Sequence, residues 1–182
     1  MPNPCSYVIF GATGNLSRVK LMPALYHLEL AGKLTADTRI LAVGRRDWND
    51  DYCLSQVREW VTEKTRDGFD EQVFQQFARR ISYFRGDLTD PESYDRMASR
   101  FEQDEDLPGN IAFYMAISPT EFGIVAEQLN RAGLLEESRG WRRVVIEKPF
   151  GYNLDSAQAL QRRISNYLRE DQVYRIDHYL GK

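Results

Sequence analysis

At 182 residues, 42% apolar and 28% charged, the chain has the composition of one folded globular domain rather than a disordered or fibrous one. Its net charge of −3, with 24 lysines and arginines scattered and no dense basic run, speaks against a nucleic-acid surface. No apolar stretch approaches the roughly 20 residues of a membrane-spanning helix, and the first residues carry no charged leader followed by an apolar core. Cytoplasm is therefore the expected compartment. Cys5 and Cys53 lack metal-ligand spacing and read as small buried thiols with no chemistry; no metal site is expected.

The first informative stretch is Tyr7 to Phe10, an apolar run that breaks into Gly11-Ala12-Thr13-Gly14-Asn15-Leu16-Ser17 and then into a helical pattern. It reads as strand, tight turn and helix start. Gly11 allows a sharp turn, Gly14 lets the backbone approach a ligand, and small Ser17 allows the helix to pack close to the strand. Uncovered amides at such a helix start favour a phosphate, although glycines in a strand-to-helix turn also serve geometry alone. The helix is expected over Ser17 to Ala31, with Leu21, Leu25 and Leu28 on its apolar face beside Met22 and Leu30, and Gly32 as its stop.

A second strand is predicted at Arg39 to Gly44, followed directly by Arg45-Arg46. Two helices follow between Asp50 and Arg80, separated at Gly68, the second capped by Asp70. Ile81 to Phe84 is the third strand, and Asp90-Pro91 opens a helix running to about Asp104 in the order of cap then proline. Ile111 to Ala116, Arg143 to Ile146 and Gln172 to Ile176 supply three more strands. Helices from Pro119 to Ala132 and from an Asn153 cap to about Leu168 lie between them.

Strict alternation of strand and helix implies a parallel sheet with helices on both faces, joined by right-handed crossovers. The expected fold is a single α/β domain, a doubly wound Rossmann sheet of about six strands in the order 3-2-1-4-5-6. In such sheets ligands lie beyond the carboxyl ends of the strands, where the order reverses. Gly11 to Ser17, Arg45-Arg46, Ile117-Ser118-Pro119, Glu147-Lys148-Pro149 and Asp177-His178 all follow predicted strands on that one edge.

Arg45 stands where an NAD-selecting enzyme presents an acid to the ribose hydroxyls. An arginine there would grip a 2′-phosphate and points to NADP; the alternative is a solvated arginine beside a turn. Lys20, one helical turn past the glycines, either reaches an anionic ligand or rests in solvent. Asp177 and His178 do not make a dyad, because strand neighbours point to opposite faces. If the chain turns helical after Asp177, His178 and Lys182 share a face with Tyr179 beside them, a trio suited to a phosphate. His27 reads as a satisfied hydrogen-bonding residue inside the first helix.

Four motifs, Gly11 to Leu16, Lys20 to Tyr26, Val145 to Gly151 and Tyr174 to Lys182, together resemble the N-terminal coenzyme domain of the glucose-6-phosphate dehydrogenase family. The resemblance covers essentially the whole chain, and the last motif is that family's substrate signature. It implies oxidation of glucose 6-phosphate at C1 to 6-phosphogluconolactone, with a hydride passed to NADP in the pentose phosphate pathway. By matching motif, Gly11, Thr13, Gly14 and Leu16 would hold the pyrophosphate and Arg45 the 2′-phosphate, with Ala12, Asn15, Lys20, Arg46 and Ala116 completing the cofactor contacts. Lys148 would lie near both nicotinamide and sugar, and His178, Tyr179 and Lys182 would bind the substrate phosphate. Asp177 would pair with the histidine that takes the C1 hydroxyl proton.

In the family that histidine belongs to a second domain, through which the full-length proteins form homo-oligomers. The resemblance thus divides this chain into a cofactor domain at 1–176 and the start of a substrate motif at 177–182. It implies a chain inactive by itself and a cis Lys148-Pro149 bond. Asn15 stands where the family usually has Asp, and Ile117-Ser118-Pro119 replaces a more usual Leu-Pro-Pro. A non-catalytic NADP-binding module acting by association is the other reading. A nucleotide-sugar epimerase or reductase is disfavoured, since no Tyr-x-x-x-Lys follows Ala116.

Overall fold

The computed structural model describes residues 3–65, 68–148 and 154–176. Strand β1 (Ser6–Phe10) leads into a π-helical turn (Ser17–Leu21) and helix α1 (Met22–Leu30), then β2 (Arg39–Gly44), α2 (Asp50–Lys64), α3 (Glu71–Ala78) and β3 (Ile81–Arg85). The second half runs α4 (Pro91–Gln103), β4 (Ile111–Met115), α5 (Phe122–Arg131), β5 (Arg142–Glu147), α6 (Leu154–Ser165) and β6 (Val173–Ile176). All six strands are parallel in the order β3-β2-β1-β4-β5-β6, as the alternation predicts. Short single-turn 3₁₀ segments precede α5 and β6.

Period-two alternation sends each central strand's apolar residues to both faces, as a sheet covered on both sides requires. Val8, Phe10, Leu41, Val43, Phe113 and Val144 pack on one face with α4, α5 and α6. Ile9, Ile40, Ala42 and Tyr83 pack on the other with α1, α2 and α3. Local chemistry fixes the helix starts. Asn49 accepts the Tyr52 N–H at 2.8 Å; Asp70 accepts those of Gln72 and Val73 at 2.8 and 3.0 Å; Asp90 accepts those of Glu92 and Ser93 with Pro91 behind it. Cys5 and Cys53 are buried and unbridged, and burial pushes the Cys53 thiol up to about 12.

The first crossover departs in part from the expected helix face. Met22 and Tyr26 are fully buried and Leu21 and Leu25 are half-buried against the same core, whereas Leu28 and Leu30 are 38% and 42% exposed. A π-helical turn, in which the Met22 N–H reaches the Ser17 carbonyl, joins the glycine turn to α1. The Tyr26 hydroxyl accepts the Asp70 N–H at 2.8 Å and holds the start of α3. His27 faces solvent with its ring centroid 6.1 Å from that of Tyr26, and no hydrogen bond to its side chain is found among the described residues. The final helix ends at Ser165, and its expected Asn153 cap lies outside the described residues.

Candidate cofactor cleft

At the end of β1 the chain turns at Gly11, whose φ of +78° lies in the left-handed region that favours glycine. The Gly14 N–H closes the turn on the Gly11 carbonyl at 2.9 Å, and the buried Ser17 hydroxyl donates to the same oxygen at 3.3 Å. Ala12 is committed to the sheet, its N–H bonded to the Val43 carbonyl at 3.0 Å. The amides of Thr13, Asn15 and Leu16 make no backbone hydrogen bond among the described residues. These unspent donors stand at a helix start, where the peptide dipoles also favour an anion.

The turn forms one wall of a 410 Å³ cleft that collects Gly11, Thr13, Gly14, Gly44, Arg45 and Ala116 from the ends of three strands. The parallel register explains the meeting: Phe10 is level with Val43 on one side and with Met115 on the other, so the three carboxyl ends finish together. Arg45 is exposed, and no hydrogen bond or ion pair to its guanidinium is found among the described residues. Arg46 turns away, its guanidinium 5.4 Å from the Trp48 ring centroid, while its carbonyl accepts the Tyr83 hydroxyl at 2.8 Å. Ala12 is buried, Asn15 and Lys20 are exposed and Leu16 is half-buried; none of these four lines the cleft. Lys148 is exposed at the end of β5, where its N–H donates to the Ile176 carbonyl at 3.1 Å. Asp177, His178, Tyr179 and Lys182 lie outside the described residues, as does the Lys148-Pro149 bond.

Sequence reasoning missed the opposite wall. Gly86, Asp87, Leu88 and Thr89 follow β3, and Glu121 follows β4; all line the cleft. The Thr89 N–H and hydroxyl donate to Asp87 at 2.8 and 2.7 Å and hold its carboxyl below the usual range, with the Arg45 charge contributing. Glu121 reaches back to accept the Ser118 N–H at 3.0 Å, as in a capping box. The signal for the β3 segment was available, since an apolar strand ending in Arg85-Gly86-Asp87 obeys the same carboxyl-edge rule as its neighbours.

A cleft opening where a parallel sheet reverses its strand order marks the dinucleotide-binding α/β class. The family model for the glucose-6-phosphate dehydrogenase NAD-binding domain matches residues 8–182, and the chain belongs to that family. Glucose-6-phosphate 1-dehydrogenase of Dickeya dadantii (strain 3937) is 39% identical over 178 residues, covering 98% of this chain and 35% of that protein. The crystal structure of the Mycobacterium avium enzyme superposes with a TM-score of 0.86 at 38% identity, over 99% of this chain and 37% of that one. A glucose-6-phosphate dehydrogenase solved in complex with its substrate glucose 6-phosphate also gives 0.86, at 32% identity, over 100% of this chain and 39% of that one. The chain thus spans little more than a third of these relatives' length. Among the described residues no helix is long and apolar enough to cross a membrane.

Proposed function

We propose that the chain is the coenzyme-binding part of an NADP-dependent enzyme that oxidises glucose 6-phosphate at C1 to 6-phosphogluconolactone, at the start of the pentose phosphate pathway in the cytoplasm. The observation that carries the choice of NADP is Arg45, which faces the cleft beside the glycine turn with no carboxylate ion-paired to it among the described residues. Its five guanidinium donors match a 2′-phosphate, and an acid in the same place would repel one. The turn fits a pyrophosphate: Gly14 presents no side chain, and the Thr13, Asn15 and Leu16 amides are unspent.

In this reading residues 1–176 form the cofactor domain and 177–182 begin the substrate motif. When bound, the nicotinamide supplies the hydride acceptor. Lys148 orients the sugar against it, while His178, Tyr179 and Lys182 bind the sugar's phosphate. Asp177 orients the histidine base, which comes from the part of the relatives' length that this chain does not span. Titration with NADPH and NADH tests the cofactor assignment. NADPH binds tighter to the parent chain, and Arg45→Ala shrinks the difference by about 1 to 3 kcal/mol, the scale of a charge-assisted hydrogen bond. Equal affinity for both nucleotides in the parent would sink it.

A further inference from the structure

The carboxyl ends of β4 and β5 carry a polar pair that the cofactor assignment leaves unused. Tyr114, half-buried on β4, donates its hydroxyl to the Glu147 carboxylate at the last position of β5. Tyr114 is level with Val145, so Glu147 is its diagonal neighbour two residues further on, on the same face of the sheet. Burial and then the carboxylate bond push the phenol's pKa up, so the hydroxyl remains a donor across the neutral range. The next residue is Lys148, whose N–H is bonded to Ile176 of β6. The end of β5 is thus held from both sides, by a side chain from β4 and by backbone from β6.

This arrangement has a direction. The cleft with Arg45 runs from the ends of β3 and β2 across β1 to Ala116 and Ile117 beyond β4, and its Arg45 side is the adenosine half of a doubly wound site. Across the reversal, the nicotinamide half falls over β4 and β5, where Glu147 and Lys148 end their strand. We infer that Tyr114 is a positioning residue, which anchors Glu147 and thereby fixes the backbone at Lys148 and the approach of that lysine to the nicotinamide half of the cofactor. The inference rests on the NADP reading given above and adds a residue to it. Removing the hydroxyl takes away the side-chain link that Tyr114 makes from β4 to the end of β5, and that strand end is then held less firmly.

The test compares two probes on the parent chain and Tyr114→Phe. NADPH carries the nicotinamide; 2′-phospho-ADP-ribose carries the same adenine, 2′-phosphate and pyrophosphate without it. Tyr114→Phe is expected to weaken NADPH about fivefold to tenfold and to leave 2′-phospho-ADP-ribose within about twofold. In the ligand-free chain the Lys148 amide exchanges faster with solvent while the Met115 amide does not. Equal losses for both probes, or unchanged binding with unchanged Lys148 exchange, would overturn the inference. A parent chain that binds neither probe refutes the NADP reading instead, and the exchange of the Lys148 amide still decides whether Tyr114 holds that strand end.

Discussion

A Cβ placed on Gly11 would stand 2.3 Å from the carbonyl oxygen of Ala116, inside any permitted contact. Gly11 also has a φ of +78°, and the Ala116 N–H is bonded to the Phe10 carbonyl at 3.0 Å, so neither strand end can yield without breaking sheet pairing. The glycine is required twice, once for its backbone angle and once for space.

Gly11→Ala therefore costs more than the roughly 1–2 kcal/mol of a left-handed alanine, and urea unfolding measures the excess. Gly32→Ala is the control, because Gly32 has a φ of +62° with nothing within 4 Å of the added carbon. The Gly32 variant is expected to lose only the strain. Equal losses at both sites would mean that the contact with Ala116 does not matter.

A second prediction concerns a buried ion pair far from the cleft. Arg80 Nε lies 2.8 Å from Glu29 Oε2 without hydrogen-bond alignment, and a second guanidinium nitrogen donates to Glu29 Oε1 at 3.1 Å. The third donates to the carbonyls of Thr35, Ala36 and Thr38. The two side chains are only 12% and 6% exposed. Arg80→Met should cost about 3–5 kcal/mol because it strands the Glu29 carboxylate, and adding Glu29→Gln should restore part of that. Chemical denaturation of the three variants checks the order.

Acid should weaken the link between β5 and the turn before β6. Glu137 accepts the Arg142 N–H at 2.8 Å and pairs with Arg169 and Arg143, which holds its carboxyl well below its ordinary 4.5, at about 2. A depressed carboxyl contributes stability that is complete above about pH 4.5 and lost as the pH falls toward 2. Parent and Glu137→Gln should differ most in melting temperature near neutrality and converge through that window. A constant difference down to pH 2 would exclude Glu137 as the titrating group.

Turnover by the chain alone is expected to be absent. Its two histidines are His27, exposed on α1, and His178, which the proposed function commits to the substrate phosphate. A carboxylate is a poor base for an alcohol and serves rather by orienting an imidazole, so Asp177 by itself gives little. Purified chain with saturating NADP and glucose 6-phosphate should give no NADPH absorbance above background. Steady production abolished by His178→Asn would make His178 the base.

The sequence by itself determined the elements, their order in the sheet and the edge that carries the glycine turn and Arg45. Those features are local or follow from alternation, since apolar runs, caps such as Asp70 and Asp90, and the crossover rule leave few alternatives. The rest needed the tertiary structure. Apolar spacing does not show how far along α1 the cover extends: Leu21 and Leu25 meet the core, whereas Leu28 and Leu30 stay exposed. Asp87, Thr89 and Glu121 reach the cleft because β3 and β4 end level with β1 and β2. Tyr114 and Glu147 meet across 33 residues of sequence because two strands share one register. Each residue's local preference is written in its neighbours, whereas these contacts arise only when separate strands are laid side by side and their ends brought level.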